Sequence, residues 1–116
     1  MYSFNDNLDV IDDSPLDIKA KVKLLSTEEG GRHTPIIGSV AFRPNHNFGN
    51  ADNRIFYIGQ INFDKDDTIF PGEERIVEIV FLNVKGLNEI LSTGTTWRIQ
   101  EGPALIATGE VLETKT

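Results

Sequence analysis

Arg32 and His33 stand side by side in the run Glu28-Glu29-Gly30-Gly31-Arg32-His33-Thr34-Pro35. A guanidinium offers a planar fork of donors that fits phosphate, and an imidazole can donate to phosphate or ribose. Gly30-Gly31 frees the backbone for positive φ and a tight turn. Pro35 pushes Thr34 into an extended conformation and removes a backbone donor, so the turn has a stiff exit. The pair is therefore expected to be held outward on a loop between two strands, where binding side chains concentrate. A further cation follows in Phe42-Arg43-Pro44-Asn45.

Other chemistry finds little support in the residues. No glycine is followed by lysine, so there is no P-loop and no nucleotide is expected to bind. There is no Gly-x-Ser-x-Gly elbow for a nucleophilic serine. With no cysteine, His33 and His46 would need carboxylates to complete a zinc site. Asp64-Lys65-Asp66-Asp67 invites a calcium reading, but the positions that need Gly and Glu hold Ile69 and Arg75. The adjacent acids Glu28/Glu29 and Glu73/Glu74 alternate faces or sit in turns, so adjacency makes no catalytic dyad. The expectation is a non-enzymatic protein without cofactor or metal.

The net charge of −7 is unevenly spread over the 116 residues. Residues 1–17 carry five aspartates and no base, residues 18–60 sum to +3, and residues 61–116 to −5. An acidic total disfavours non-specific polyanion binding, yet the stretch around Arg32 is locally basic. No apolar run approaches the ~18 residues of a membrane span. Acids stand near the N-terminus where a signal peptide would carry bases, so a cytoplasmic protein without membrane contact is expected.

The elements that must position these residues read as strands. Residues 1–16 form an acidic arm, with Tyr2, Phe4, Leu8, Val10 and Ile11 available to pin it down, and residues 17–116 form one domain. From 17 to 25, Ile18, Ala20, Val22 and Leu24 alternate with Asp17, Lys19, Lys21 and Lys23. That is a half-buried strand with an outer lysine ridge, which protects an edge or contributes to an anion-binding surface. Strands are also expected over 36–42, 54–63, 75–84, 95–100 and 104–112, with 44–53 a polar loop and one helical turn at 87–91. The strand over 54–63 has apolar residues on both faces, so one face lines the core and the other meets the arm, a partner or another subunit. The last two strands form a hairpin across Glu101-Gly102-Pro103, with Trp97, Ile99 and Val111 in the core. Six short strands and no long helical pattern argue an all-β sandwich or closed barrel.

The run Glu29-Gly30-Gly31-Arg32-His33-Thr34-Pro35 with Phe42-Arg43-Pro44-Asn45 resembles the third, C-terminal domain of the elongation factor Tu family. There the same run is followed by Tyr-Arg-Pro-Gln. Leu24-Leu25-Ser26, Pro71-Gly72-Glu73, Trp97-Arg98-Ile99-Gln100-Glu101-Gly102-Pro103 and Gly109-Glu110-Val111 extend the similarity over roughly residues 17 to 113. It departs at Gln100, where the family has Arg, at Pro103, where it has Gly, and by about two extra residues between Pro35 and Arg43. The family's nucleotide-binding and second domains have no counterpart in this sequence. The resemblance implies a six-stranded antiparallel closed barrel. It also implies that Arg32, His33, Glu101 and Gly102 stand where the family grips the T-stem of aminoacyl-tRNA. Arg43 and Asn45 join them as candidate binding residues.

Two functions are expected from it. The first is a module that engages a protein partner linked to translation, mimicking the third domain toward that domain's partners or a toxin that targets it. The alternative is a structured-RNA or tRNA-like ligand on the Arg32–His33 face. Beside both stands the plain reading, that Gly30-Gly31 and Gly102-Pro103 only make turns and His33 only bonds its own loop.

Overall fold

A computed structural model describes residues 14–115. Along the chain lie β1 (Leu16–Leu24), β2 (Ile36–Ile37), β3 (Asn45–Asn47), β4 (Tyr57–Asn62) and β5 (Thr68–Ile69). They are followed by β6 (Glu74–Phe81), α1 (Leu87–Ile90), β7 (Thr96–Glu101) and β8 (Ala104–Thr114). Six of the strands close an antiparallel barrel in the order β1-β6-β4-β3-β7-β8, while β2 and β5 pair in a separate ribbon. The expected six-stranded closed barrel is the fold. The expected arm lies mostly outside the described residues, and β1 begins at buried Leu16, inside the stretch assigned to it.

β1 follows its alternation. Ile18, Ala20, Val22 and Leu24 are buried, and the lysines lie on the other face. Because β6 flanks β1 on one side and β8 on the other, β1 is no sheet edge. The lysine ridge therefore guards no edge. Lys19 and Lys21 instead reach Glu113 and Glu110 across the β1–β8 ladder, at 4.0 and 3.6 Å. The expected core residues Trp97, Ile99 and Val111 are all buried, and the helical turn at α1 is anchored by buried Leu87.

One barrel strand is not the expected one. Residues 36–42 form no barrel strand. After Ile37 the Gly38 amide donates to the Asp67 carbonyl (3.0 Å), and the chain turns, with the Val40 amide donating to the Ile37 carbonyl (3.0 Å). Gly38 is pressed so close that a Cβ there would lie 2.0 Å from the Asp64 carbonyl oxygen. The sixth place belongs to β3, Asn45-His46-Asn47, inside the run expected to be a polar loop.

The side chains of His46 and Asn47 are buried because each finds partners. The indole Nε1–H of Trp97 donates to His46 Nδ1 at 3.0 Å. The indole nitrogen can only donate, so Nδ1 is the acceptor and Nε2 carries the proton, which it donates to the Gly59 carbonyl at 2.9 Å. His46 packs edge-on to Phe81, with centroids 4.8 Å apart. Gly59 makes the room, since a Cβ there would meet the Phe81 ring at 2.7 Å. Asn47 Nδ2 donates to Gln100 Oε1 (2.8 Å) and to the Asn50 carbonyl (2.9 Å). Its Oδ1 accepts from the Gly49 amide and from Asn53 Nδ2, both at 2.8 Å.

Burial holds His46 neutral, with its pKa down from 6.5 to about 4. Below pH 6.5 the unfolded chain takes up a proton that the folded chain refuses, so stability falls as pH falls through that window. The expected slope approaches ~1.4 kcal/mol per pH unit between pH 6.5 and about 5. Glu29 and Asp67, held below their ordinary carboxylate values, add the same sign further down, while in the neighbouring pair Asp17–Glu78 the raised Asp17 opposes the lowered Glu78. Urea melts of the natural chain and of His46→Gln across this range should give a steep and a flattened dependence, respectively. Equal slopes would remove His46 as the cause.

Candidate functional site

The loop after β1 is built by its own short side chains. Ser26 and Glu29 cap each other across one turn. The Ser26 amide donates to Glu29 Oε1 (2.8 Å), and the Glu29 amide donates to Ser26 Oγ (3.1 Å). Donation from Ser26, its amide first, holds the Glu29 carboxyl below its usual range. The two glycines serve different needs. Gly30 takes φ +95°, the left-handed region. Gly31 has no positive φ, but a Cβ on it would lie 2.5 Å from the Leu25 carbonyl oxygen. Thr27 Oγ1 then donates to the Arg32 carbonyl at 2.9 Å, tying the turn to the residue it presents.

Beyond this turn the chain does not form a hairpin tip. It leaves Pro35 for β2, which pairs with β5 and not with β1. His33 is exposed, as expected. Arg32 is not held outward. Its side chain is only 20% exposed and forms an ion pair with Glu101 at the β7–β8 tip. Its Nε and one terminal nitrogen donate to the carbonyl and hydroxyl of Thr34, at 3.1 and 3.0 Å. Its guanidinium carbon lies 5.4 Å from the centre of the Phe42 ring. The packing thus joins Arg32 to Glu101 and to Gly102 beside it, which the sequence places 69 and 70 residues apart.

The remaining candidates divide. Asn45 lies in the ladder opposite Gln100 on one side and Ile58 on the other, next to the β7–β8 tip. Arg43 belongs to a different surface, where its Nε donates to Gln60 Oε1 at 2.9 Å on the outer face of β4. A residue absent from the expected set supports the tip. Gln100 is buried, accepts from Asn47 and from Arg98 Nε (3.0 Å), and donates to the Gly102 carbonyl (3.1 Å). A register shift between Ile99 and Gln100 turns both of these neighbours inward. A bulge breaks the two-residue period, so alternation alone places Gln100 outside.

Beside Arg32 the surface is apolar. Arg32, Pro35, Ile36, Ile37, Val40 and Phe42 line a cleft of about 210 Å³. Ile37 and Val40 are 46% and 61% exposed there. The one cation in its lining, Arg32, is paired with Glu101, and Lys19, Lys21, Arg75 and Lys115 elsewhere each face a carboxylate. Among the described residues no three His, Asp or Glu side chains are grouped to hold a metal ion. No helix there is long and apolar enough to cross a membrane. Searched against models of known protein families, the sequence matches none.

The Arg32–Glu101 pair is partly exposed, so it should contribute modestly and respond to salt. A double-mutant cycle with Arg32→Ala and Glu101→Ala is expected to give a coupling of ~0.5–1 kcal/mol in thermal unfolding at low salt. It should shrink toward zero near ~0.5 M salt. A coupling of zero at low salt would separate the loop from the hairpin tip.

Proposed function

We propose that this chain is a non-catalytic protein-binding module of the cytoplasm, similar to the third domain of elongation factor Tu. Its partner is a protein linked to translation that this domain engages by mimicry, and its contact surface is the Arg32 loop with the adjoining cleft. The observation that carries the reading is the state of Arg32. Its guanidinium is engaged by Glu101, Thr34 and Phe42, and the opening next to it is lined by Ile37 and Val40. Phosphate recognition calls for unpaired cations; an apolar cleft rimmed by an ion pair suits a protein surface. Non-catalytic use is supported by the burial of His46, whose two ring nitrogens both spend themselves on structural bonds.

The second reading, structured RNA on the same loop, is favoured by one observation. Exposed His33 and Gly102 flank the Arg32–Glu101 pair, so opening that pair would release a guanidinium beside an imidazole. In the family, the loop face of the third domain grips RNA and another face docks on the nucleotide-binding domain, which supplies both probes. Titration with the isolated nucleotide-binding domain of an elongation factor Tu is expected to give binding that survives ~0.5 M salt, where surface charge is screened. Val40→Asp, at an exposed position, should weaken it at least tenfold while leaving the melting temperature within a few degrees. A T-stem RNA hairpin should bind only at low salt. Tight hairpin binding abolished by Arg32→Ala and indifferent to Val40→Asp would replace the protein reading with the RNA one.

A further inference from the structure

The outer face of β4 and β6 carries a second apolar surface, distinct from the Arg32 cleft. Gly59 and Ile61 point inward, so Ile58 and Gln60 point out. Leu82 follows β6 directly, and its amide donates to the Ile58 carbonyl at 2.9 Å, which sets the two side chains opposite each other. They are 60% and 38% exposed. With Pro15, Arg43, Gln60 and Val80 they line a groove of about 310 Å³.

We propose that this groove is the docking site of the chain's own segment 1–13, with Val10 and Ile11 covering Ile58 and Leu82 and the neighbouring aspartates facing Arg43. Continuity supports it first. Pro15 itself lines the groove, and Asn83 Nδ2 donates to the Ser14 carbonyl at 3.3 Å, so the segment leaves from the rim. Asn83 Oδ1 is buried and has no hydrogen-bond partner among the described residues, an acceptor that a backbone N–H of the preceding segment would satisfy. Reach supports it next. The four residue steps from Ile11 to Pro15 span up to ~13 Å when extended. β4 lies two strands from β1, a distance of ~10 Å. Composition supplies the third argument. Leu8, Val10 and Ile11 are interspersed with Asp9, Asp12 and Asp13, and the groove has Arg43 at its edge. Covering Ile58 and Leu82 removes apolar surface from water, and the tether keeps the segment's effective concentration in the millimolar range. A separate protein seeking this face must displace it.

The chain has no cysteine, so a single nitroxide on Asn7→Cys reports the position of the segment in the full-length protein. The methyl signals of Ile58, Val80 and Leu82 should broaden severalfold more than those of Ile99 and Ala107, on β7 and β8 across the barrel. Substituting Val10→Ser with Ile11→Ser should abolish that contrast without touching the barrel, and Ile58→Asp should do the same from the other side. Three results would overturn the proposal. Broadening that is equal on both sides, or survives the serine substitutions, denies the specific contact. Broadening seen only between a labelled copy and a separately isotope-enriched copy assigns the groove to a second chain. No broadening in the groove leaves it to an external partner.

Discussion

The barrel closes through a strand of three residues, Asn45–Asn47, and that closure depends on a buried imidazole. Three residues make too few ladder bonds to hold two neighbours firmly. His46 adds one side-chain bond to each of them, accepting from Trp97 on β7 and donating to Gly59 on β4. The donor-only indole sets the tautomer, and the tautomer sets which carbonyl can be held. Low dielectric strengthens a satisfied network of this kind and makes a broken one expensive. Phe81 and Phe48 enclose it from within the barrel, Phe48 stacked on Trp97 with centroids 5.1 Å apart. Asn47 extends the same seam toward the β7–β8 tip through Gln100.

The seam in turn positions the surface. Gln100 holds the Gly102 carbonyl, and Glu101 next to it engages Arg32. The loop after β1 is thus fastened at both ends, by the Ser26–Glu29 cap behind it and by the hairpin tip before it. Fastening has an electrostatic consequence. Part of the locally basic stretch of sequence is neutralised in three dimensions, Lys19 and Lys21 set against glutamates of β8 and Arg32 against Glu101. The cleft that opens beside Arg32 is lined mainly by hydrocarbon. The proposed preference for a protein over a polyanion rests on that pairing, and the class of partner on the proposed likeness to the elongation factor's third domain.

The legible parts of the fold were those with regular period. β1 alternates over nine residues with no exception, and β6, β7 and β8 carry β-branched or aromatic residues between clear turns, so each lies within a few residues of its expected place. The reading failed where a strand was made of amides and an imidazole. Asn-His-Asn looks like a loop by hydropathy, and only the partners waiting on β4 and β7 make its burial favourable. Ile36 to Phe42 failed for the converse reason. Its residues favour a strand, but the approach of Gly38 to the Asp64 carbonyl bends the chain away after two.

The amino-acid sequence by itself determined an all-β architecture, the apolar lining of β1 and a turn at Gly30-Gly31, because these depend on local period, burial and the conformational freedom of glycine. It also placed Arg32 and His33 on a loop. Only the tertiary structure decided that Arg32 turns onto Glu101, that Arg43 faces a separate groove and that His46 is a structural bond and no free base. Those outcomes hang on partners tens of residues away, and no local rule encodes which distant carboxylate or carbonyl the folded chain will bring within about 3 Å.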